Sequence, residues 1–255
     1  MNQDGATVSD PLAIRFEQVS KSFGDLKVLD AVSFEVRRGE AFCILGRSGT
    51  GKSVLLRHLV GLIRPDLGRI FVEGEEITAL EAQGLARVRK RIGFLFQYSA
   101  LFDSISVGEN VAFPFRRHTR LAEREIRDRA QMLLESVGLA NVYNRMPEEI
   151  SGGMQKRAAL ARALALAPPI LLIDEPSSGL DPVTAGEIDD LLLGLKERDN
   201  TTMVVVTHNI PSARILGNEL ALLHEGRFIA RGTPAQIAKN GHELVRSFFN
   251  YQGGH

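Results

Sequence analysis

An α/β fold on a mostly parallel sheet is what this 255-residue sequence predicts, with antiparallel strands ahead of the sheet and a helical subdomain inserted into it. Three observations carry that expectation. Four short, continuously apolar runs, Ala41–Leu45, Ile92–Phe96, Ile170–Ile173 and Met203–Val206, are separated by helical stretches, as strands covered on both faces would be. Leu12, Ile14 and Phe16 alternate with polar neighbours, as do Val32, Phe34 and Val36, which is the period of half-buried antiparallel strands. Between about 98 and 168 the strand signals stop and helical spacing replaces them.

The elements follow in chain order. Residues 1–11 are small and polar and read as a disordered lead-in, and 12–240 as the folded domain. After the apolar strand 41–45 a glycine-rich loop opens a helix over Val54–Leu62. Ile126, Ala130, Leu133, Leu134 and Val137 fall on one face of a helix, with Gly138 where its C-terminal cap belongs. A second helix, Ala- and Leu-rich, runs from about Met154 to Ala167 and stops at Pro168-Pro169. Leu220–His224, Glu225-Gly226 and Phe228–Ala230 read as a hairpin. The tail, 241–255, carries Phe248, Phe249 and Tyr251, either packed on their own chain or crossing to a second copy.

Composition narrows the function. Thirty-one Lys and Arg balance 31 Asp and Glu, so the chain has no net electrostatic footprint for nucleic acid. The single cysteine, Cys43, excludes an internal disulfide framework, fits a reducing compartment and sits in an apolar run as a core thiol. No stretch reaches the ~18 uninterrupted apolar residues of a membrane span, and the N-terminus lacks the basic start and apolar core of a signal peptide. The expectation is a chain in or facing the cytosol.

The chemistry concentrates in two places. Gly46-Arg47-Ser48-Gly49-Thr50-Gly51-Lys52-Ser53 matches the phosphate-loop pattern G-x-x-x-x-G-K-[ST] between a buried strand and a helix, the context the pattern needs. Its backbone N–H groups cradle phosphates, Lys52 neutralises their charge, Ser53 ligates Mg²⁺, and the helix N-terminus adds its positive dipole end. Downstream, Ile170–Ile173 ends in Asp174-Glu175-Pro176. Acids at the C-terminal tip of a parallel strand face the ligand crevice, so Asp174 is read as a metal ligand and Glu175 as the general base for an attacking water.

With those motifs in place, further residues resemble the ATP-binding-cassette (ABC) ATPases. Ile150-Ser151-Gly152-Gly153-Met154-Gln155 resembles the family's signature motif, Gln97 its Q-loop glutamine, Ser178-Gly179-Leu180-Asp181 its D-loop, and His208 its switch histidine. Phe23 fits the aromatic that stacks on adenine. The resemblance implies a P-loop NTPase (RecA-like) core with antiparallel β and α-helical subdomains, the ABC ATPase fold, and hydrolysis of ATP with Mg²⁺. It implies that Gln97 bridges the metal or lytic water and the helical subdomain, that His208 bonds the γ-phosphate, and that Ser151, Gly152 and Gly153 serve the ATP held by the other protomer of a homodimer. Met154 stands where most signatures carry Gln, and Asn209 where Asp is common.

The stretches Gln97–Phe102, Glu109–Pro114 and His118-Thr119, with Ser-Gly-Gly-Met, are similar to the ATPases of the Mla and Mce-associated transporters, which move phospholipid between bacterial membranes. That similarity implies partners: a permease (MlaE-like), a STAS-domain cytoplasmic subunit (MlaB-like) and an MCE-domain lipid-binding protein (MlaD-like), with this chain peripheral on the cytoplasmic face of the inner membrane. The alternatives are an ABC transporter ATPase for another cargo and a soluble ABC ATPase acting on nucleic acid or ribosomes. The span from Lys52 to Ser151 holds no sustained heptad, the chain has one cassette, and its charge is neutral, all of which oppose the soluble reading.

Overall fold

Strands β1 (Leu12–Phe23) and β2 (Leu26–Arg37) pair antiparallel, with Phe16 opposite Phe34, and lead into the fully buried β3 (Ala41–Leu45). The computed structural model describes residues 11–251, with 250 and 251 described by backbone alone. Helix α1 (Lys52–Leu59) follows the glycine-rich loop, then β4 (Leu67–Val72), β5 (Glu75–Glu76) and α2 (Ala82–Arg89). Next come β6 (Ile92–Leu95), the helices α3 (Val107–His118), α4 (Glu123–Ser136) and α5 (Gly152–Leu164), and β7 (Ile170–Asp174). The chain continues through α6 (Pro182–Asp199), β8 (Thr202–Thr207), α7 (Ile210–Leu216), β9 (Glu219–His224), β10 (Arg227–Gly232), α8 (Pro234–Ala238) and α9 (Glu243–Tyr251).

Two sheets result. The antiparallel one has the order β2-β1-β4-β5 and the larger one β10-β9-β3-β8-β7-β6, parallel except for the β9–β10 hairpin. Alternate residues of each central strand feed two cores. Phe42, Ile44, Leu172, Val204 and Val206 pack towards α1 and the antiparallel sheet, while Cys43, Leu45, Leu171, Ile173, Met203 and Val205 pack towards the helices. That is why β3, β7 and β8 read as continuous apolar runs. The rings of Phe16, Phe34 and Phe42 stack at 4.4 and 4.8 Å, and Phe228 meets Phe34 and Phe42 edge-on. Burial stabilises by about 1.5–3 kcal/mol per ring, and the stack fastens the antiparallel sheet to β3, immediately before Gly46. Burial pushes the Cys43 thiol up to about 12, so it stays protonated in the core.

The helical layer ends where chain chemistry dictates. Gly138 takes φ +73° after α4, its N–H reaches Glu135 O at 2.9 Å, and Leu139 N–H reaches Leu134 O at 2.8 Å, a Schellman stop with both leucines buried. Helix α3 opens with a reciprocal box between Ser106 and Glu109. Buried Asn110 then accepts from Phe102 N–H at 2.7 Å and donates to Phe102 O, Ile105 O and Ser106 O, fixing the loop ahead of the helix. Among the described residues no helix is long and apolar enough to cross a membrane.

Four sequence readings change. Ile92–Phe96 is not doubly covered: β6 is the edge of its sheet, Ile92 and Phe94 are half-buried and Phe96 is exposed. The second long helix begins at Gly152 and ends at Leu164, because Ala167 adopts φ +47° ahead of Pro168. The first helix likewise starts at Lys52 and ends at Leu59, short of Leu62. Residues 107–118, read without an element, form α3 despite Pro114. The lead-in lies outside the described residues except for Pro11, as does the Tyr251 side chain. Of the tail aromatics, Phe249 is buried in the helix-side core with Val245, and Phe248 is packed against that core. The Arg214 guanidinium lies 5.6 Å from the centre of the Phe249 ring.

Candidate active site

The C-terminal ends of β3, β7 and β8 lie side by side, Leu45 beside Thr207 and Asp174 beside Val206. Everything that leaves those three strand ends meets in one crevice. From β3 comes the loop Gly46–Gly51, which needs its glycines: Gly51 takes φ +97°, and a Cβ there would lie 2.7 Å from Val28 Cγ1. Gly51 caps α1 with no side chain, so the first N–H groups of the helix face the crevice unspent on a cap. Arg47 O accepts from Thr50 Oγ1 at 2.9 Å, closing the loop on itself, while Ser48 and Gly49 form its exposed crest.

Lys52 is 6% exposed. Its Nζ donates to Gly46 O at 2.8 Å and Arg47 O at 3.2 Å, and lies 3.3 Å from Glu175 Oε1. Ser53 Oγ donates to Asp174 Oδ1 at 3.0 Å. Burial pushes the Asp174 carboxyl up, against the hydrogen bond from Ser53 and the charge of Lys52. One hydroxyl and one carboxylate at hydrogen-bond distance suit a hard cation that draws its other ligands from phosphate and water. Among the described residues no group of three His, Cys, Asp or Glu could hold a metal unaided.

Glu175 follows β7 in the left-handed region, φ +48°, a conformation that costs a non-glycine residue about 1–3 kcal/mol. Its surroundings hold it there. The N–H bonds Val206 O at 2.9 Å, and Oε2 accepts from Thr207 Oγ1 and His208 N–H, each at 3.2 Å, and lies 2.8 Å from His208 Nδ1. The carboxylate thus spans Lys52 on one side and His208 on the other. Asn209 caps α7 through Ser212 N–H and donates from Nδ2 to Ser177 Oγ at 3.3 Å, which an Asp in its place could not do.

The remaining expected residues surround that cluster. Gln97 Nε2 reaches Ser178 Oγ at 3.5 Å, so its side chain meets the expected D-loop rather than Ser53 or Asp174. Asp181 of that loop caps α6, accepting from Val183 N–H, Thr184 N–H and Thr184 Oγ1. Ser151 caps α5 through Met154 N–H at 3.3 Å, and Gly152 is exposed beside it. Gly153 is buried so closely that a Cβ would lie 2.4 Å from Thr184 Cγ2. Among the described residues no hydrogen bond or ion pair joins Ser151–Gly153 to the loop 46–53. The Met154 thioether packs partly against the core. Phe23 is 47% exposed at the β1–β2 turn, with Lys21 Nζ 5.5 Å from its ring centre, and Val28 of the same hairpin touches Gly51. It is an exposed aromatic face, not a core ring. Sequence reasoning missed Thr207 and Lys156: both are buried polar groups, and only tertiary contact reveals them.

A family model described as ABC transporter matches residues 29–178, more than half of the chain. The chain belongs to the ABC transporter family. It is 39% identical over 237 residues to the intermembrane phospholipid transport system ATP-binding protein MlaF of Escherichia coli (strain K12), covering 93% of this chain and 88% of that one. With MlaF of Haemophilus influenzae it shares 42% over 217 residues, 85% of this chain and 82% of the relative. A probable ribonucleotide transport ATP-binding protein, mkl, of Mycobacterium tuberculosis (strain ATCC 25618 / H37Rv) is 41% identical over 239 residues, 94% of this chain and 67% of the relative. Among solved structures, a dimeric ATP-binding cassette in a post-hydrolysis state with ADP and Pi superposes with TM-score 0.81 at 34% identity, covering 86% of this chain and 98% of that one. The cassette cbiO1 of Clostridium perfringens gives 0.82 at 30%, covering 94% and 96%. This ABC ATPase binds ATP and hydrolyses it to ADP and phosphate.

Proposed function

We propose that this ABC ATPase drives phospholipid movement between bacterial membranes, as a homodimer on the cytoplasmic face of the inner membrane beneath a separate permease. One observation carries the reading. The Lys52–Glu175–His208 cluster is linked by Ser178, whose N–H bonds Glu175 O and whose Oγ accepts from Gln97, to an exposed aromatic groove of about 360 Å³ lined by Phe94, Phe96, Phe102, Phe113 and Pro114. Phe96, Phe102 and Phe113 are exposed, and exposed aromatics gathered in a groove mark a protein contact. The sequence step from Phe96 to Gln97 puts that contact next to the chemistry. The cargo rests on the two relatives named for intermembrane phospholipid transport.

Within the site, Lys52 and the first N–H groups of α1 bind the β- and γ-phosphates, and Phe23 stacks on the base. Ser53 and Asp174 would hold Mg²⁺. The ion, when bound, neutralises charge on the phosphate oxygens. Glu175 takes a proton from the attacking water as its oxygen bonds the γ-phosphorus and the bond to ADP breaks. His208, fixed by Glu175 Oε2, bonds the γ-phosphate. Ser151, Gly152 and Gly153 complete the partner protomer's site, so ATP holds the dimer closed until it is cleaved.

The trans role of Ser151 has its own test. Ser151→Arg places a bulky cation at an exposed helix start; it removes the cap on Met154 N–H, about 1 kcal/mol of stability, and makes no change in the phosphate loop. ATP affinity of the monomer is expected to stay within about threefold, while ATP-dependent dimerisation in size-exclusion chromatography disappears. Dimerisation at the wild-type ATP concentration removes the trans site.

Copurification decides the cargo. The tagged chain, extracted gently from native membranes, is expected to bring a permease, an MCE-domain protein, a STAS-domain subunit and phospholipid, identified by mass spectrometry. A permease carrying ribonucleotide, as the mycobacterial relative's name states for that protein, keeps the transporter and discards the lipid. Recovery without any membrane partner overturns the transporter reading.

A further inference from the structure

Helix α5 sends one side chain back into the crevice. Lys156 is 4% exposed, and its ammonium donates to Gln97 O and, at 3.1 Å, to Glu175 O. A buried charge has to be compensated by hydrogen bonds, and here the ammonium donates to two main-chain oxygens rather than to a carboxylate. One oxygen belongs to Glu175, the proposed general base, and the other to Gln97, which directly follows Phe96 of the aromatic groove. Glu175 O also accepts from Ser178 N–H at 3.2 Å, and the residue stands at φ +48°. A left-handed non-glycine residue persists only where its surroundings over-determine it, and the Lys156 bond is one of the few that acts on the peptide whose rotation would release it.

The same helix shows what a second, half-buried cation does when it lacks this contact. Arg162 donates to Ala100 O at 2.6 Å and Ser99 O at 2.8 Å, two further left-handed residues of the loop after β6, and does not touch Glu175. Arg162 holds the loop. Lys156 holds the loop and the carboxylate's backbone together.

We propose that Lys156 is the positioning residue for hydrolysis: by gripping the main-chain oxygens of Glu175 and Gln97, it aims the Glu175 carboxylate between Lys52 and His208 and ties it to the helix that begins at Ser151–Gly153. The inference rests on the reading of Glu175 as general base. It makes the signature end of α5, the groove-side Gln97 and the water-activating group one mechanical unit within a protomer. A shift of α5 on dimer closure then reaches Glu175 through a single ammonium.

The test uses the full chain with Lys156→Met, which removes every donor, and Lys156→Gln, which keeps one donor pair without charge. Steady-state kcat is read beside equilibrium affinity for a fluorescent ATP analogue. The expected order of kcat is wild type, then Gln, then Met, with Met down at least thirtyfold, while affinity stays within threefold because Lys52 and the phosphate loop are untouched. A Met variant within threefold of wild-type kcat overturns the proposal. So does affinity that falls in step with kcat in both variants, the mark of a side chain that only supports the fold. Should Lys156→Met fail to fold, Lys156→Gln decides alone: at least a tenfold loss of kcat at unchanged affinity supports the proposal, and anything less overturns it. Glu175→Gln measured in parallel separates the two readings. A fully active Glu175→Gln sinks the general-base assignment, whereas an inactive one beside an active Lys156→Met sinks only this inference.

Discussion

Glu175→Gln is expected to bind ATP, close into a dimer and then stop, with steady-state hydrolysis about 10²–10⁴-fold below wild type, the span of a lost general base. Glutamine is nearly isosteric. Its carbonyl oxygen can keep accepting from Thr207 Oγ1 and His208 N–H, where Oε2 of the carboxylate now accepts at 3.2 Å from each. What it cannot do is take a proton from water. The contact to Lys52 Nζ at 3.3 Å loses its charge complement, but Lys52 also has Gly46 O and Arg47 O as acceptors, so the phosphate loop keeps its shape. Binding and turnover should therefore separate cleanly. The measurement is phosphate release beside ATP-dependent dimer formation by light scattering. Hydrolysis within threefold of wild type would mean that another group activates the water.

That separation depends on a geometry only partly legible in the sequence. The phosphate loop and the acid pair were readable because each depends on local order: a buried strand, a turn that needs Gly51 at φ +97°, and a strand that ends in Asp174-Glu175. The expected residues Lys52, Ser53, Asp174, Glu175 and His208 do come together, because β3, β7 and β8 are neighbours and parallel. Neighbourhood among strands is a tertiary fact. The same limit explains the errors. Ile92–Phe96 is as apolar as a central strand, yet β6 is an edge, and its stacked Phe94 and Phe96 line the groove instead of a core. Apolar runs record burial without saying whether sheet, helix or another protein supplies the cover. Helix α3 was hidden by Pro114, although Ser106 and Glu109 spell a capping box that would have located its start. Lys156 had no local signal, since its partners lie 59 and 19 residues away.

Lys52→Ala is expected to act at the opposite end of the cycle, on binding rather than turnover. Among the described residues, the ammonium is the one side-chain cation that meets both the phosphate-loop carbonyls and the Glu175 carboxylate, at 2.8, 3.2 and 3.3 Å. Replacing it by a methyl group takes a buried charge from the place where the phosphates must sit, while Glu175 keeps His208 and Thr207. ATP affinity should fall about 100-fold or more, since losing a charge-assisted contact of this kind amounts to roughly 2.8 kcal/mol at about 1.4 kcal/mol per tenfold. ADP should lose less, because the side chain serves the γ-phosphate as well as the β-phosphate. Isothermal titration with both nucleotides reads the two losses on one sample, and the double variant Lys52→Ala/Glu175→Gln excludes turnover as the cause. An ATP dissociation constant within threefold of wild type would show that the α1 amides hold the phosphates alone. Equal losses for ATP and ADP would place the ammonium on the β-phosphate only. The contact between Lys52 and Glu175 would then stand apart from the group being transferred, and the pairing of binding cation with water-activating carboxylate at this crevice would have to be given up.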